Sequence, residues 1–251
     1  YTPNDPQYNA QWHYHNTGQQ GGTTDADIDL PEAWDINRGD TEVIVAIVDQ
    51  GIQYTHPDLA GNMWSGIGYN FVDDSPTIVP GDHGTHVAGT VAANTNNGTG
   101  VSGVAGGDGS GNGVRLMSCQ VFIGSSGGSG FENAPVYAAD NDAAISQNSW
   151  GYNSSGYYEQ AVLDAIDYFN ANGGGSLLDG GITIYAAGNS GFELQKLALK
   201  LDESKISDWS LPDRGVLKGE SLQQFVNETV AHKPLEALKR PFAVVATDLH
   251  S

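Results

Sequence analysis

The sequence predicts an α/β fold built on a doubly wound parallel sheet. Three observations predict it. Val43–Val48 is an unbroken apolar run rich in β-branched residues, as expected of a parallel strand buried on both faces. Similar runs recur between amphipathic stretches, so strand and helix patterns alternate along residues 1–191. Two polar residues with chemical potential, Asp49 and Asn189, stand just past such runs, at the strand ends where open parallel sheets bind ligands.

The elements follow in order. After the strand Val43–Val48, a helix pattern runs from His83 to about Ala93. Leu116–Ile123 is a second apolar strand, and Ala143–Trp150 reads as a third. Tyr158–Ala171 is helical, because Val162, Ala165, Ile166 and Phe169 fall at i, i+3, i+4 and i+7. Ile182–Ala187 is the next strand. The lone cysteine, Cys119, sits inside an apolar run and reads as a small buried hydrophobe.

Composition divides the chain. Its 10 basic and 30 acidic residues give a net charge of −20. Residues 1–191 carry no lysine, two arginines (Arg38 and Arg115) and 21 acids, a net charge of −19, with 32 of the 34 glycines. Residues 192–251 carry eight basic and nine acidic residues and two glycines. The expected organisation is a core over 1–191 joined without a linker to a foreign segment over 192–251, the alternative being a natural two-domain protein. A strongly acidic surface repels nucleic acid and anionic membranes, so neither is an expected partner. No apolar run reaches the roughly 20 residues of a membrane helix.

Asp49, His83 and Asn189 form a chemical constellation. A serine hydroxyl attacks well only when a histidine takes its proton. A buried carboxylate fixes the imidazole tautomer and stabilises the imidazolium. A side-chain amide donates to the developing oxyanion. Alone, an aspartate at a strand end is usually a cap and a histidine before a helix is usually structural. The order and spacing of the three carry the catalytic reading. His13, His15, His56, His232 and His250 belong to no constellation.

The motifs around these residues resemble those of the subtilisin-like serine proteases, the subtilases. Val45-Ala46-Ile47-Val48-Asp49-Gln50-Gly51, with His56-Pro57-Asp58-Leu59, resembles their aspartate motif. His83-Gly84-Thr85-His86-Val87-Ala88-Gly89-Thr90 is similar to their histidine motif almost letter for letter. Asn148-Ser149-Trp150-Gly151 resembles their substrate-binding strand, and Ala186-Ala187-Gly188-Asn189 their oxyanion loop. The opening Asn4-Asp5-Pro6-Gln7-Tyr8, with Gln11-Trp12, is similar to the kexin and furin branch. Over residues 4–191 the resemblance implies a subtilisin-type sheet, a secreted serine endopeptidase and polypeptide substrates. Asp49, His83 and Asn189 then take catalytic roles, Ser149, Trp150 and Gly151 bind substrate, and His86 is supporting. The resemblance also implies a Ca²⁺ site. Asp5, Asp58 and Asn97 would give side-chain oxygens, and Asn94, Thr99 and Val101 carbonyls, a donor set that suits a hard cation.

Departures from the pattern limit these implications. Gln50 stands where kexins have a second acid, and Gly151–Gly156 lacks acids that would select basic substrates. No Gly-Thr-Ser-Met-Ala-like segment occurs in the 251 residues. Ser190 follows Asn189 too closely to be the nucleophile, and Ser251 is the last residue. The sheet is therefore expected to be incomplete at its C-terminal side, followed by a foreign α/β tail, and the chain inactive. Its other readings are a non-catalytic peptide binder and a lipid acyl hydrolase. The latter rests on the tail, where Arg214–Gly219 and Arg240–Leu249 resemble patatin-like lipid acyl hydrolases but lack their catalytic serine and aspartate. Leu194, Leu197, Ala198 and Leu201 would share a helical face, and Ser221–Gln224 would open a second helix. Phe242–Ala246 reads as a short strand.

Overall fold

The computed structural model describes residues 1–124, 127–152, 154 and 157–186. The elements expected in the tail, and Ala187 through Asn189, lie outside the described residues. Among the described residues five parallel strands form one sheet: β1 (Ile44–Gln50), β2 (Met63–Asn70), β3 (Arg115–Phe122), β4 (Ile145–Asn148) and β5 (Ile182–Tyr185). Their order across the sheet is β2-β3-β1-β4-β5, so β1 is central. From β1 the chain goes first to the edge strand β2, returns inward to β3 beside β1, then crosses to the other side for β4 and β5. The carboxyl end of β1 therefore lies at a topological switch point, where such folds open a crevice.

Helices cover both faces. They are α2 (Asp82–Ala92) on one face and α3 (Asn133–Asp140) and α4 (Gln160–Asn172) on the other, while α1 (Leu30–Ile36) belongs to the N-terminal segment. Alternation along the strands decides which residues meet which helix, because successive side chains point to opposite faces. Val45, Ile47 and Leu116 pack with Ala88 and Ala92 of α2. Ala46, Val48, Met117, Cys119 and Val121 pack with Ala134 and Ala138 of α3 and Phe169 of α4. Double-sided burial is why β1 reads as an unbroken apolar run rather than an alternating one. Cys119 is fully buried, and burial pushes its thiol up to about 12, which leaves it a packing residue. Among the described residues no helix is long and apolar enough to cross a membrane.

Strands β1, β3, β4 and β5, with α2 and α4, match sequence expectations apart from their ends. β2 was not expected, and its chain explains why. Ile67 has a φ of 62° and Gly68 a φ of 149°, and the register with β3 shifts between Met63 and Gly68. A strand broken by such a distortion presents no clean period of two. α3 and α1 were also missed: both are short, and Pro135 and Pro31 stand near their starts.

The N-terminal segment is fastened over α2 through an aromatic cluster of Tyr8, Tyr14, Leu30 and Trp34. Trp34 Nε1 donates to the Val104 carbonyl at 2.7 Å, and Tyr14 OH donates to the Thr90 carbonyl at 3.3 Å. His13 lies beside Tyr14, with ring centroids 4.3 Å apart. Burial, reinforced by the nearby His86, holds its imidazole below the ordinary 6.5. The folded state thus resists a proton that the unfolded chain accepts. Stability should fall as pH drops below about 6.5, down to the depressed folded value. Melting temperatures between pH 7 and 5 should show this slope, and His13→Asn should flatten it.

Candidate active site

Asp49 ends the apolar part of β1 and His83 lies in the first turn of α2. The fold brings together two residues 34 positions apart. His83 Nδ1 lies 2.7 Å from Asp49 Oδ1 and 2.9 Å from Oδ2. Asp49 is 2 % exposed, whereas the His83 side chain is 51 % exposed. A buried carboxylate behind an accessible imidazole leaves Nε2 as the ring nitrogen not bound by Asp49. With Nδ1 donating to the carboxylate, Nε2 is the free base of the neutral ring.

The N-terminus of α2 is set by backbone contact. Gly81 N donates to the Gly51 carbonyl at 2.7 Å, and Gly51 bridges to Pro80 as a short parallel extension of β1. Gly84 packs directly on this strand: a Cβ there would stand 2.0 Å from the Gln50 carbonyl oxygen. The N-cap residue Gly81 has no side chain to satisfy the first helical N–H groups. Gln50 satisfies one of them from the neighbouring strand. Its Oε1 accepts from His83 N at 3.0 Å, and its Nε2 donates to the Gly124 carbonyl at 2.7 Å. A capping bond of this type contributes about 1 kcal/mol. Sequence reasoning registered Gln50 only as a missing acid. The paired glycines around His83, Gly81 and Gly84, were the available sign of a close approach there.

Ser149, Trp150 and Gly151 leave the carboxyl end of β4, next to Asp49 because Val48 pairs with Asn148. Ser149 Oγ accepts from Gln147 Nε2 at 3.1 Å. Trp150 Nε1 donates to Asn148 Oδ1 at 3.1 Å, and its ring lies 4.5 Å from Phe131 and 5.3 Å from Tyr185. Gly151 is exposed with open space where a Cβ would project. Asn189 lies outside the described residues.

The expected cation-site residues also converge, although Asp5 and Asn97 are 92 positions apart. Asp5 is 5 % and Asp58 2 % exposed. Asp5 accepts from the backbone N–H groups of Asn96, Asn97 and Gly98 and from the Ser102 hydroxyl. Asp58 accepts from Asn97 Nδ2 at 2.9 Å and Val101 N at 3.0 Å, and its carbonyl accepts from Asn94 N. Asn97 turns its carbonyl oxygen to Thr99 N at 2.7 Å. Desolvation raises the Asp58 carboxyl above its ordinary 3.8, against the two hydrogen bonds that lower it, and Asp5 raises it further. Neither carboxylate forms an ion pair among the described residues. Two adjacent buried carboxylates with only neutral donors form a donor set that a hard divalent cation fits.

Comparison with known proteins agrees with this geometry. The model of the subtilase family matches residues 40–214, running past the compositional step at 191. Thermitase of Thermoactinomyces vulgaris is 37 % identical over 194 residues, covering 76 % of this chain and 59 % of thermitase. A halolysin-like extracellular serine protease, Nep, of Natrialba magadii is 35 % identical over 158 residues, 59 % of this chain and 26 % of Nep. The crystal structure of the Aeromonas sobria serine protease superposes with a TM-score of 0.58 at 27 % identity, over 75 % of this chain and 32 % of that one. The chain thus spans less than two thirds of each relative. A family match over most of the sequence, on a parallel sheet that carries the same likeness, means that this chain belongs to the subtilase family.

Proposed function

We propose that residues 1–191 carry serine endopeptidase machinery in which Asp49 orients His83 and His83 is the general base for a serine. The observation that carries this reading is the double contact of His83 Nδ1 with the buried Asp49 carboxylate at the carboxyl end of the central strand. In the reaction His83 Nε2 would take the hydroxyl proton as the serine attacks a peptide carbonyl, then return it to the leaving amine. Asp49 would hold the tautomer and balance the imidazolium charge. Asn189 would donate its amide to the oxyanion, and Ser149, Trp150 and Gly151 would line the bound peptide. The substrates are polypeptides, and the setting is extracellular, as the name of Nep states for that relative.

The 251-residue chain itself is proposed to be catalytically silent. It holds the acid, the base and the oxyanion amide, but no segment of the kind that carries the family's nucleophile. A fluorophosphonate probe should label no serine, and an unstructured protein such as casein should remain intact. Labelling of one serine together with casein cleavage would overturn this. Residues 192–251 we read as a segment of different origin with a patatin-like pattern, on composition and motif alone. Esterase assays on the whole chain should then show no turnover.

Calcium belongs to the same proposal. Asp5, Asp58 and Asn97 would supply side-chain oxygens, and Asn94, Thr99 and Val101 carbonyls. Asn97 would rotate its amide, because it presently presents N–H to Asp58. The ion would supply the positive charge that the two buried carboxylates lack.

A further inference from the structure

Gln50 makes a set of contacts that the catalytic reading leaves unused. The β1–β3 register shifts between Asp49 and Gln50: Asp49 pairs with Gln120, but Gln50 pairs with Phe122. Such an irregularity re-aims the side chain that follows it. Here it follows the buried acid directly. The Gln50 backbone N–H donates to Asp49 Oδ1 at 2.7 Å. Its side-chain oxygen accepts from the His83 backbone N–H, and its side-chain nitrogen donates to the Gly124 carbonyl beyond β3. One residue therefore touches the acid, the backbone of the base and the β3–α3 turn. Gly81 leaves the room: a Cβ there would stand 2.4 Å from Gln50 Oε1.

We propose that Gln50 is the positioning residue of the Asp49–His83 pair, capping α2 at His83 and tying that end of the helix to the Gly124 turn. The proposal rests on the reading of Asp49 and His83 as a working pair. Each half of the amide has a separate task. The oxygen holds the His83 backbone, which sets where the imidazole meets the carboxylate. The nitrogen fixes the direction of that oxygen through Gly124. A carboxylate at position 50 would keep the acceptor and lose the donor. A methionine would lose both at similar length.

Proton NMR of the full chain tests this without need of turnover. The readouts are the low-field Nδ1–H resonance of His83 and hydrogen exchange at the His83 amide. In Gln50→Met the amide should exchange roughly tenfold faster. The low-field resonance should broaden or shift, while amides in β1 and β3 keep their protection. Gln50→Glu, which keeps the acceptor, should retain the amide protection and show the low-field resonance that Gln50→Met loses. An unchanged imidazole signature in Gln50→Met overturns the proposal, whether or not the amide exchange accelerates. Asp49→Asn separates the two claims. If it leaves the low-field resonance untouched, the pair itself is wrong and the positioning role falls with it. If it abolishes the resonance while Gln50→Met does not, the pair stands and Gln50 is not its positioner.

Discussion

Adding a chelator to this chain should lower its melting temperature by roughly 5–10 °C, and Asp58→Asn should remove that response. Asp5 and Asp58 are both nearly inaccessible to water, and burial already raises the Asp58 carboxyl. Two charges in such a place are costly unless something compensates them. The loop of residues 94–101 brings backbone N–H groups and amides to them, but no cation. A cation that binds only the folded chain at 100 times its dissociation constant adds about 2.7 kcal/mol. For a domain of this size each kcal/mol moves the midpoint by about 2–4 °C. Asp58→Asn keeps the shape and the acceptor to Val101 N while deleting the charge. It should therefore weaken the ion, and in the chelated state it also gives up the bond from Asn97 Nδ2, which lowers both of its midpoints. Thermal melts with calcium and with EDTA, on both chains, are the measurement. Identical midpoints for the parent chain under the two conditions would defeat the calcium reading.

Gly84→Ala should destabilise the chain by about 2 kcal/mol, although alanine is the better helix former. In an exposed helical position the change would gain about 1 kcal/mol. At Gly84 the added Cβ would meet the Gln50 carbonyl oxygen at 2.0 Å and its carbon at 2.7 Å. Both are backbone atoms of a buried strand, so α2 itself must move. Overpacking of a rigid site costs about 1–3 kcal/mol and occasionally more, which outweighs the propensity gain. The movement would also draw His83 from Asp49, so the His83 low-field proton should be lost with the stability. Gly89 in the same helix is the control. A Cβ there meets nothing within 4 Å among the described residues, so Gly89→Ala should stabilise by about 1 kcal/mol. Urea midpoints of the two variants should move in opposite directions. A Gly84→Ala chain as stable as its parent would show that α2 does not sit on β1 as described.

The sequence revealed the fold wherever local pattern and burial coincide. β1 lies under helices on both faces, so Val43–Val48 had to be apolar throughout, and its period needed no partner to interpret. α4 shows its inward face as Val162, Ala165 and Phe169 for the same reason. The edge strand β2 was unreadable because its shape comes from Ile67 and Gly68 fitting against Ser118, not from periodicity. A Cβ on Gly68 would stand 1.9 Å from the Ser118 carbonyl oxygen. α3 hid behind Pro135 and a face of alanines that only becomes a face when packed on α4 and the sheet.

The site divides in the same way. The residue types at Asp49 and His83, the acids Asp5 and Asp58, and the family itself were written in contiguous motifs, because each motif must shape its own turn. Contacts between motifs were not. The sequence determined which groups are present. Tertiary structure decided that Asp49 is buried while His83 is open, that Asn97 turns its N–H toward Asp58, and that Gln50 reaches both His83 and Gly124, 33 and 74 positions away. The physical reason is range: periodicity and turn chemistry act over a few residues, whereas burial and hydrogen-bond geometry are set by chain segments that meet only after the sheet has formed.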